Sequence, residues 1–182
     1  MTGLVVPVVV EGWQYECCGE PPAVGLRVSW RLHLDPDGWS AAAVDLPVSV
    51  ESVPPEALVE WRALGNRVGA APALLRHRGL TVYLPDHGLL DGGRARGILR
   101  EDHHVDVPLG VPVTDGTITR VRLVSREYRA RSRLTLVPVS GTEELVEVGT
   151  APASLPHEKP SKGALTVRQT AEVLVDLEVD PD

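Results

Sequence analysis

Leu4 to Val10 is a continuous apolar run broken only by Pro7, the pattern of a buried strand with its proline at an edge or a bulge. From Val24 to Leu34 the pattern changes to strict alternation. Leu26, Val28, Trp30, Leu32 and Leu34 take turns with Arg27, Ser29, Arg31 and His33, which predicts a strand with one wet face. Asp35-Pro36-Asp37-Gly38 supplies a turn, and Ala41 to Val50 reads as the next strand. Ser52-Val53-Pro54-Pro55-Glu56 has the chemistry of a helix start and predicts one short helix over Pro55 to Leu64, with Leu58, Trp61 and Leu64 spaced by three. Gly65 to Gly79 has no firm period and reads as loop. Leu80–Leu84, Ala95–Arg100 and Thr117–Val124 read as strands, the last with an irregularity that suggests a bulge near Arg120. Leu134–Val139 and Leu145–Val148 suggest a hairpin across Ser140-Gly141-Thr142. Residues 151–163, with three prolines, read as an exposed flexible loop, and 164–179 as a strand returning to the sheet, Val173, Val175, Leu177 and Val179 alternating with Leu174, Asp176 and Glu178. The sum is a single domain over 1–182, mainly β, a small antiparallel barrel or sandwich with one short helix.

Composition sharpens this picture in two places. Phe is absent and aromatics make up only 4% of the 182 residues, so the core must be packed from Val, Leu and Ala. The net charge of −7 argues against general nucleic-acid binding, which draws its affinity from neutralised phosphates. Of the 18 basic residues only Lys159 and Lys162 are lysine, and Arg120, Arg122, Arg126, Arg129, Arg131 and Arg133 crowd into one span. The preference for Arg, Ala, Val and Gly is what a GC-rich genome imposes; the usual fate of such arginines is a strand face that pairs with Asp and Glu. No apolar run is long enough to span a bilayer, and the N-terminus lacks the basic flank of a signal peptide, so the expectation is a cytoplasmic protein without membrane partners.

No segment carries a motif whose chemistry follows from spacing alone, but two clusters hold ligand-type side chains. The first is Glu16-Cys17-Cys18-Gly19-Glu20, with the only two cysteines; the second is Glu101-Asp102-His103-His104-Val105-Asp106. Gathered together, Cys17, Cys18, His103 and His104 could surround a zinc ion with two thiolates and two imidazoles. Adjacent cysteines on an extended chain point to opposite faces, however, and one packed inward with the other at a turn is the competing arrangement. A cysteine nucleophile with a histidine base meets a second objection, because Glu16 and Glu20 raise a neighbouring thiol's pKa. Trp13 and Trp39, beside turns, are the indoles expected to be exposed, whereas Trp30 and Trp61 suit the core. With Glu16, Glu20, Asp102 and Asp106 they form the candidate ligand-binding set.

Trp13-x-x-x-Cys17-Cys18-Gly19-Glu20-Pro21, Val24-Gly25-x-x-Val28-x-Trp30-x-Leu32, Asp102-His103-His104 and Pro112-x-Thr114-x-Gly116 together resemble a family of small uncharacterised actinobacterial proteins, a domain of unknown function. The resemblance spans most of the chain and implies no activity. The Val-Gly-x-x-Val-x-Trp opening also resembles the first strands of SH3-like and OB-like barrels. The function expected is therefore binding of a small molecule or protein partner on the side carrying Cys17, Cys18, His103 and His104. A zinc-dependent or cysteine-dependent enzyme using those residues is the alternative. A structural or assembly subunit is a third, and it requires an exposed strand edge.

Overall fold

Val173, Val175, Leu177 and Val179 all lie buried on one strand, β12 (Thr166–Val179), which anchors the sheet. A computed structural model describes residues 3–36, 42–63, 72–85, 90, 92–102, 107–131, 135–156 and 166–181; the side chains of residues 18, 60–63 and 130 lie outside that description. β12 pairs antiparallel with β1 (Leu4–Glu11) on one side and with the long β9 (Thr114–Ala130) on the other. The bulge expected near Arg120 is present: Asp176 faces Arg120 and Leu177 faces Ile118, which leaves Thr119 as the extra residue. A second shift leaves Ala171 over on β12.

From β1 the sheet continues through β8 (Arg94–Glu101), β3 (Leu32–Asp35), β7 (Leu80–Leu84), β6 (Ala73–His77) and β5 (Ser49–Ser52), curling into a half-barrel. β4 (Ala43–Pro47) also pairs with β8. Beyond β9 lie β2 (Arg27–Trp30), β10 (Leu136–Pro138) and β11 (Glu144–Val148). The chain is thus mainly β, but the sheet is mixed, not antiparallel: β1 runs parallel to β8, and β3 parallel to β7.

Other expectations are corrected in the same way. Among the described residues there are two helices, α1 (Gly12–Cys18) and α2 (Pro55–Ala63), because the stretch around Trp13 and Cys17, which carries no element in the sequence pattern, winds into two turns of helix. Val24–Leu34 breaks at Arg31, its first part pairing with β9 and its second with β8. Ala41–Val50 likewise splits into β4 and β5, and a strand, β6, occupies part of the span read as loop. The proposed hairpin does not form. β10 and β11 are successive pieces of one return along β9, each paired with β9 and neither with the other.

Strand parity divides the interior. One face carries the larger core, from Val6, Val8 and Val10 through Leu32, Leu34, Leu80, Val82 and Leu99 to Ile118, Val121 and the β12 valines. Trp30 packs against it, as its alternation implies. On the other face Ala57 of α2 meets Val53, Leu74, Tyr83, Val107 and Val111, while Val9, Ala42, Ile98, Val124 and Leu174 form a third patch. Ala151 and Leu155 are buried, the latter against α1; residues 157–163 of the expected loop lie outside the described ones. Among the described residues no helix is long and apolar enough to cross a membrane.

The turn between β6 and β7 needs positive φ at both of its residues, 50° at Arg78 and 82° at Gly79. A Cβ on Gly79 would stand 1.9 Å from the carbonyl oxygen of Asp180. Gly79→Ala is therefore expected to cost more than the roughly 1–2 kcal/mol that a left-handed backbone alone imposes. Gly25, at φ 86° with open space around its Cβ position, gives the backbone-only comparison. Urea unfolding of the two variants measures the difference; equal losses would mean that the Asp180 end moves aside freely.

Candidate functional site

The parallel pairing of β1 with β8, Val8 beside Leu99 and Val9 beside Arg100, sends both strands out of the sheet at the same end. β1 passes into α1, and β8 passes through Glu101 and Asp102 towards residues 103–106. Gln14, buried in α1, joins the two by donating from Nε2 to the Glu101 carbonyl at 3.1 Å. Two stretches almost ninety residues apart are thus neighbours. His103, His104, Asp106 and Trp39 lie outside the described residues, as does the side chain of Cys18.

α1 ends at Gly19, whose N–H donates to the Tyr15 carbonyl at 3.1 Å, and Pro21-Pro22 prevents further winding. Its inner face is Gly12, Gln14 and Tyr15. Gly12 is required for close packing, since a Cβ there would meet Leu155 Cδ1 at 2.4 Å. Burial pushes the Tyr15 hydroxyl up to about 12, with the Glu16 charge adding to the effect. The outer face holds Trp13, Glu16 and Cys17. Trp13 is 54% exposed while its indole N–H donates to the Glu11 carboxylate, so the ring is held at its polar edge with more than half of the residue in solvent. Cys17 is exposed with a free thiol, and Glu20 is exposed beyond the helix.

The two other acids of the candidate set serve as clamps. Glu16 Oε1 accepts the Leu155 backbone N–H at 2.6 Å and holds the 151–156 segment against α1. Asp102, 3% exposed, accepts the Val107 N–H at 2.7 Å, and its own N–H donates to the Arg31 carbonyl. These carboxylates satisfy buried backbone donors in the way a capping residue does. Among the described residues no group of three or more His, Cys, Asp or Glu is placed to hold a metal ion.

Beside Trp13 lies a charge network that sequence reasoning missed. Arg100 of β8 donates from Nε to Asp35 of β3 at 2.9 Å, and from Nη1 to Glu172 of β12 at 3.0 Å and to Glu11 of β1 at 3.4 Å. Glu172 also pairs with Arg126 of β9. Five adjacent strands are tied by five side chains. Glu11 and Glu172 face each other in register, so two carboxylates would repel without the guanidinium between them. Burial works against the Arg100 charge, but Glu172 and Asp35 outweigh it and hold its pKa above the usual arginine range. Tyr128, on the same face of β9, is raised by burial first. Farther along β9, Arg122 pairs with Asp176 and Arg120 with Glu147, the acid pairing expected of the arginine-rich span. The available signal was parity. Glu11 follows Val9, Glu172 precedes Leu174 and Arg126 follows Val124 on the same face of their strands, and those three apolar residues are buried.

The chain belongs to a family of unknown function (DUF6578), whose model matches residues 4–179. No curated protein and no solved structure matches it.

Proposed function

We propose that this chain is a binding domain whose working surface is the end where α1 and the C-terminus of β8 emerge together, and that its ligand is a small molecule or a protein partner. One observation carries the reading. Trp13 stands more than half exposed with its N–H already engaged by Glu11, on a helix joined to the β8 end by the Gln14–Glu101 bond. An indole held at its polar edge offers an apolar plane at little entropic cost, which suits stacking recognition. The nearby carboxylates Glu16 and Asp102 are engaged by backbone N–H groups, which favours binding over acid–base catalysis. In this reading the half-barrel works in the manner of SH3-like and OB-like domains, in the cytoplasm, and the arginine-rich composition fits an actinobacterial source.

The same juxtaposition supports a zinc site built from Cys17, Cys18, His103 and His104 as a second reading, since exposed Cys17 lies on the helix adjoining the β8 end. Elemental analysis with thiol titration separates the two. Stoichiometric zinc that is lost in the Cys17→Ala, Cys18→Ala double variant would establish the metal site. Two reactive and dispensable thiols without zinc would leave the binding reading standing.

The binding reading is tested by chemical-shift mapping against a library of aromatic and heterocyclic fragments. Shifts are expected to cluster on residues 12–20 and 99–102, and Trp13→Ala should weaken those fragments about tenfold while leaving the fold's stability within about 0.5 kcal/mol. Shifts confined to other parts of the surface, or undiminished in the Trp13 variant, would refute it.

A further inference from the structure

β9 has two edges, one filled by β12 along almost its whole length, the other tiled by the short strands β2, β11 and β10. β11 occupies a bounded slot on that second edge. On its N-terminal side the chain bulges at Ser140-Gly141, with Gly141 at φ 77°. There Thr142 Oγ1 accepts the Glu127 N–H at 2.9 Å and donates to the Val139 carbonyl at 2.7 Å. On its C-terminal side Val24 N–H donates to the Gly149 carbonyl at 2.9 Å, and Ala23 bridges Thr150. Among the described residues no strand pairs with the outer edge of Glu144–Val148. Apolar side chains gather around it: Val146 is 55% exposed, Leu145 39%, and Val24 at its end 52%.

We infer that a second copy of this chain fills the slot, β11 against β11, antiparallel about a two-fold axis at Val146. Unpaired strand edges recruit other strands unless charge or shape forbids it, so the question is which strand this edge accepts. A two-fold axis that continues the sheet must preserve its faces, so it passes through a residue and not between two. Of the five residues of β11, an axis at Glu144 sets that carboxylate opposite itself, and one at Val148 needs the edge of Gly149 and Thr150 that Ala23 and Val24 already fill, which leaves three positions to compare. An axis at Leu145 sets Glu143 opposite Glu147, and an axis at Glu147 sets that carboxylate opposite itself; both place like charges across the ladder. An axis at Val146 places Glu144 opposite Val148 and Leu145 opposite Glu147, so no acid faces an acid and valine meets valine at the centre. The edge is thus complementary to its own sequence in one register. The net charge of −7 per chain opposes approach at long range, so pairing strengthens as salt screens it. This inference goes beyond the ligand-binding reading and does not depend on it.

Sedimentation velocity on the full chain, from low micromolar to submillimolar concentration and at low and high salt, should show a monomer–dimer equilibrium that shifts towards dimer with added salt. Val146→Lys should weaken the dimer about tenfold or more, whereas Val59→Lys, still more exposed but on α2, should leave it unchanged. In a background with Cys17 and Cys18 replaced by serine, Val146→Cys should give a disulfide-linked dimer on mild oxidation, because that position faces its own copy. Leu145→Cys, which faces Glu147, should not. A strict monomer throughout, a dimer indifferent to Val146→Lys, or cross-linking through position 145 in preference to 146 would each overturn the proposal.

Discussion

Glu172→Ala is expected to destabilise the fold by about 3–5 kcal/mol, the loss typical of removing one partner from a buried ion pair. The Glu172 side chain is 11% exposed and touches two guanidinium groups, Arg100 at 15% and Arg126 at 10%. Its removal leaves Arg100 with Asp35 and Glu11 and takes the Glu172 carboxylate from Arg126. The charges remain, the solvent is largely excluded, and the one carboxylate shared by both guanidinium groups is gone. Urea unfolding reads the change as a lower midpoint with an unaltered slope. Glu178→Ala, an exposed acid on the same strand, should change stability by less than about 0.5 kcal/mol. The double variant Glu172→Leu, Arg126→Met should recover much of the loss, since apolar side chains of similar volume replace buried pairs at little or no cost. If Glu172→Ala loses less than about 1 kcal/mol, water reaches these charges and the network contributes no more than an ordinary surface pair.

Much of the sheet was legible because strand periodicity is a local property. Leu80–Leu84 is a strand with the bounds read from its sequence, α2 begins where Pro54-Pro55 places it, and the bulge beside Arg120 follows from the broken alternation around it. What escaped was whatever depends on partners distant along the chain. Nothing within Leu4–Val10 announces that it runs parallel to Arg94–Glu101, yet that pairing brings α1 to the end of β8 and creates the candidate site. The Ser140-Gly141-Thr142 turn has hairpin chemistry, but β9 is long enough for both flanking strands to pair with it in succession, and the turn becomes a bulge in one returning strand. α1 leaves no trace in the pattern because Gly12, Gly19 and two prolines crowd a seven-residue helix, too short to show a period. The charge network was hidden for a different reason. Glu11, Asp35, Arg100, Arg126 and Glu172 each look like the wet face of a strand, and only the cross-strand register reveals that they compensate one another.

The network and the slot on β11 occupy opposite ends of one physical argument about charge. Across β3, β8, β1, β12 and β9 opposite charges sit side by side, which selects this strand order over others that would stack Glu11 against Glu172 with no cation between them. Along β11 the acids Glu143, Glu144 and Glu147, together with Ala23 and Val24 already paired at its C-terminal end, exclude every self-pairing register but one. Electrostatics here acts less as a source of stability than as a filter on which strands meet.

At alkaline pH the protein should lose stability as pH rises from 10 towards 12, through its tyrosines. Tyr15 and Tyr83, 4% and 1% exposed, have hydroxyls pushed by burial from 10.0 up to about 12, and Tyr128 is raised as well. Their folded pKa values stand above the unfolded one, so between these limits the folded chain holds protons that the unfolded chain releases, and stability falls as pH rises. Below pH 10 the contribution is complete. Few other groups interfere, since the chain has only two lysines and its arginines stay charged. Absorbance at 295 nm should show little phenolate near pH 10, then a steep rise shared by all three tyrosines and coincident with loss of the β-sheet circular dichroism signal. Tyr15→Phe and Tyr83→Phe should each reduce the pH dependence, because phenylalanine buries the same ring with no proton to lose. Three independent titrations near pH 10 with the dichroism signal intact would show that the hydroxyls reach solvent, and that the packing of Tyr15 under α1 and of Tyr83 under α2 is looser than the structure has it.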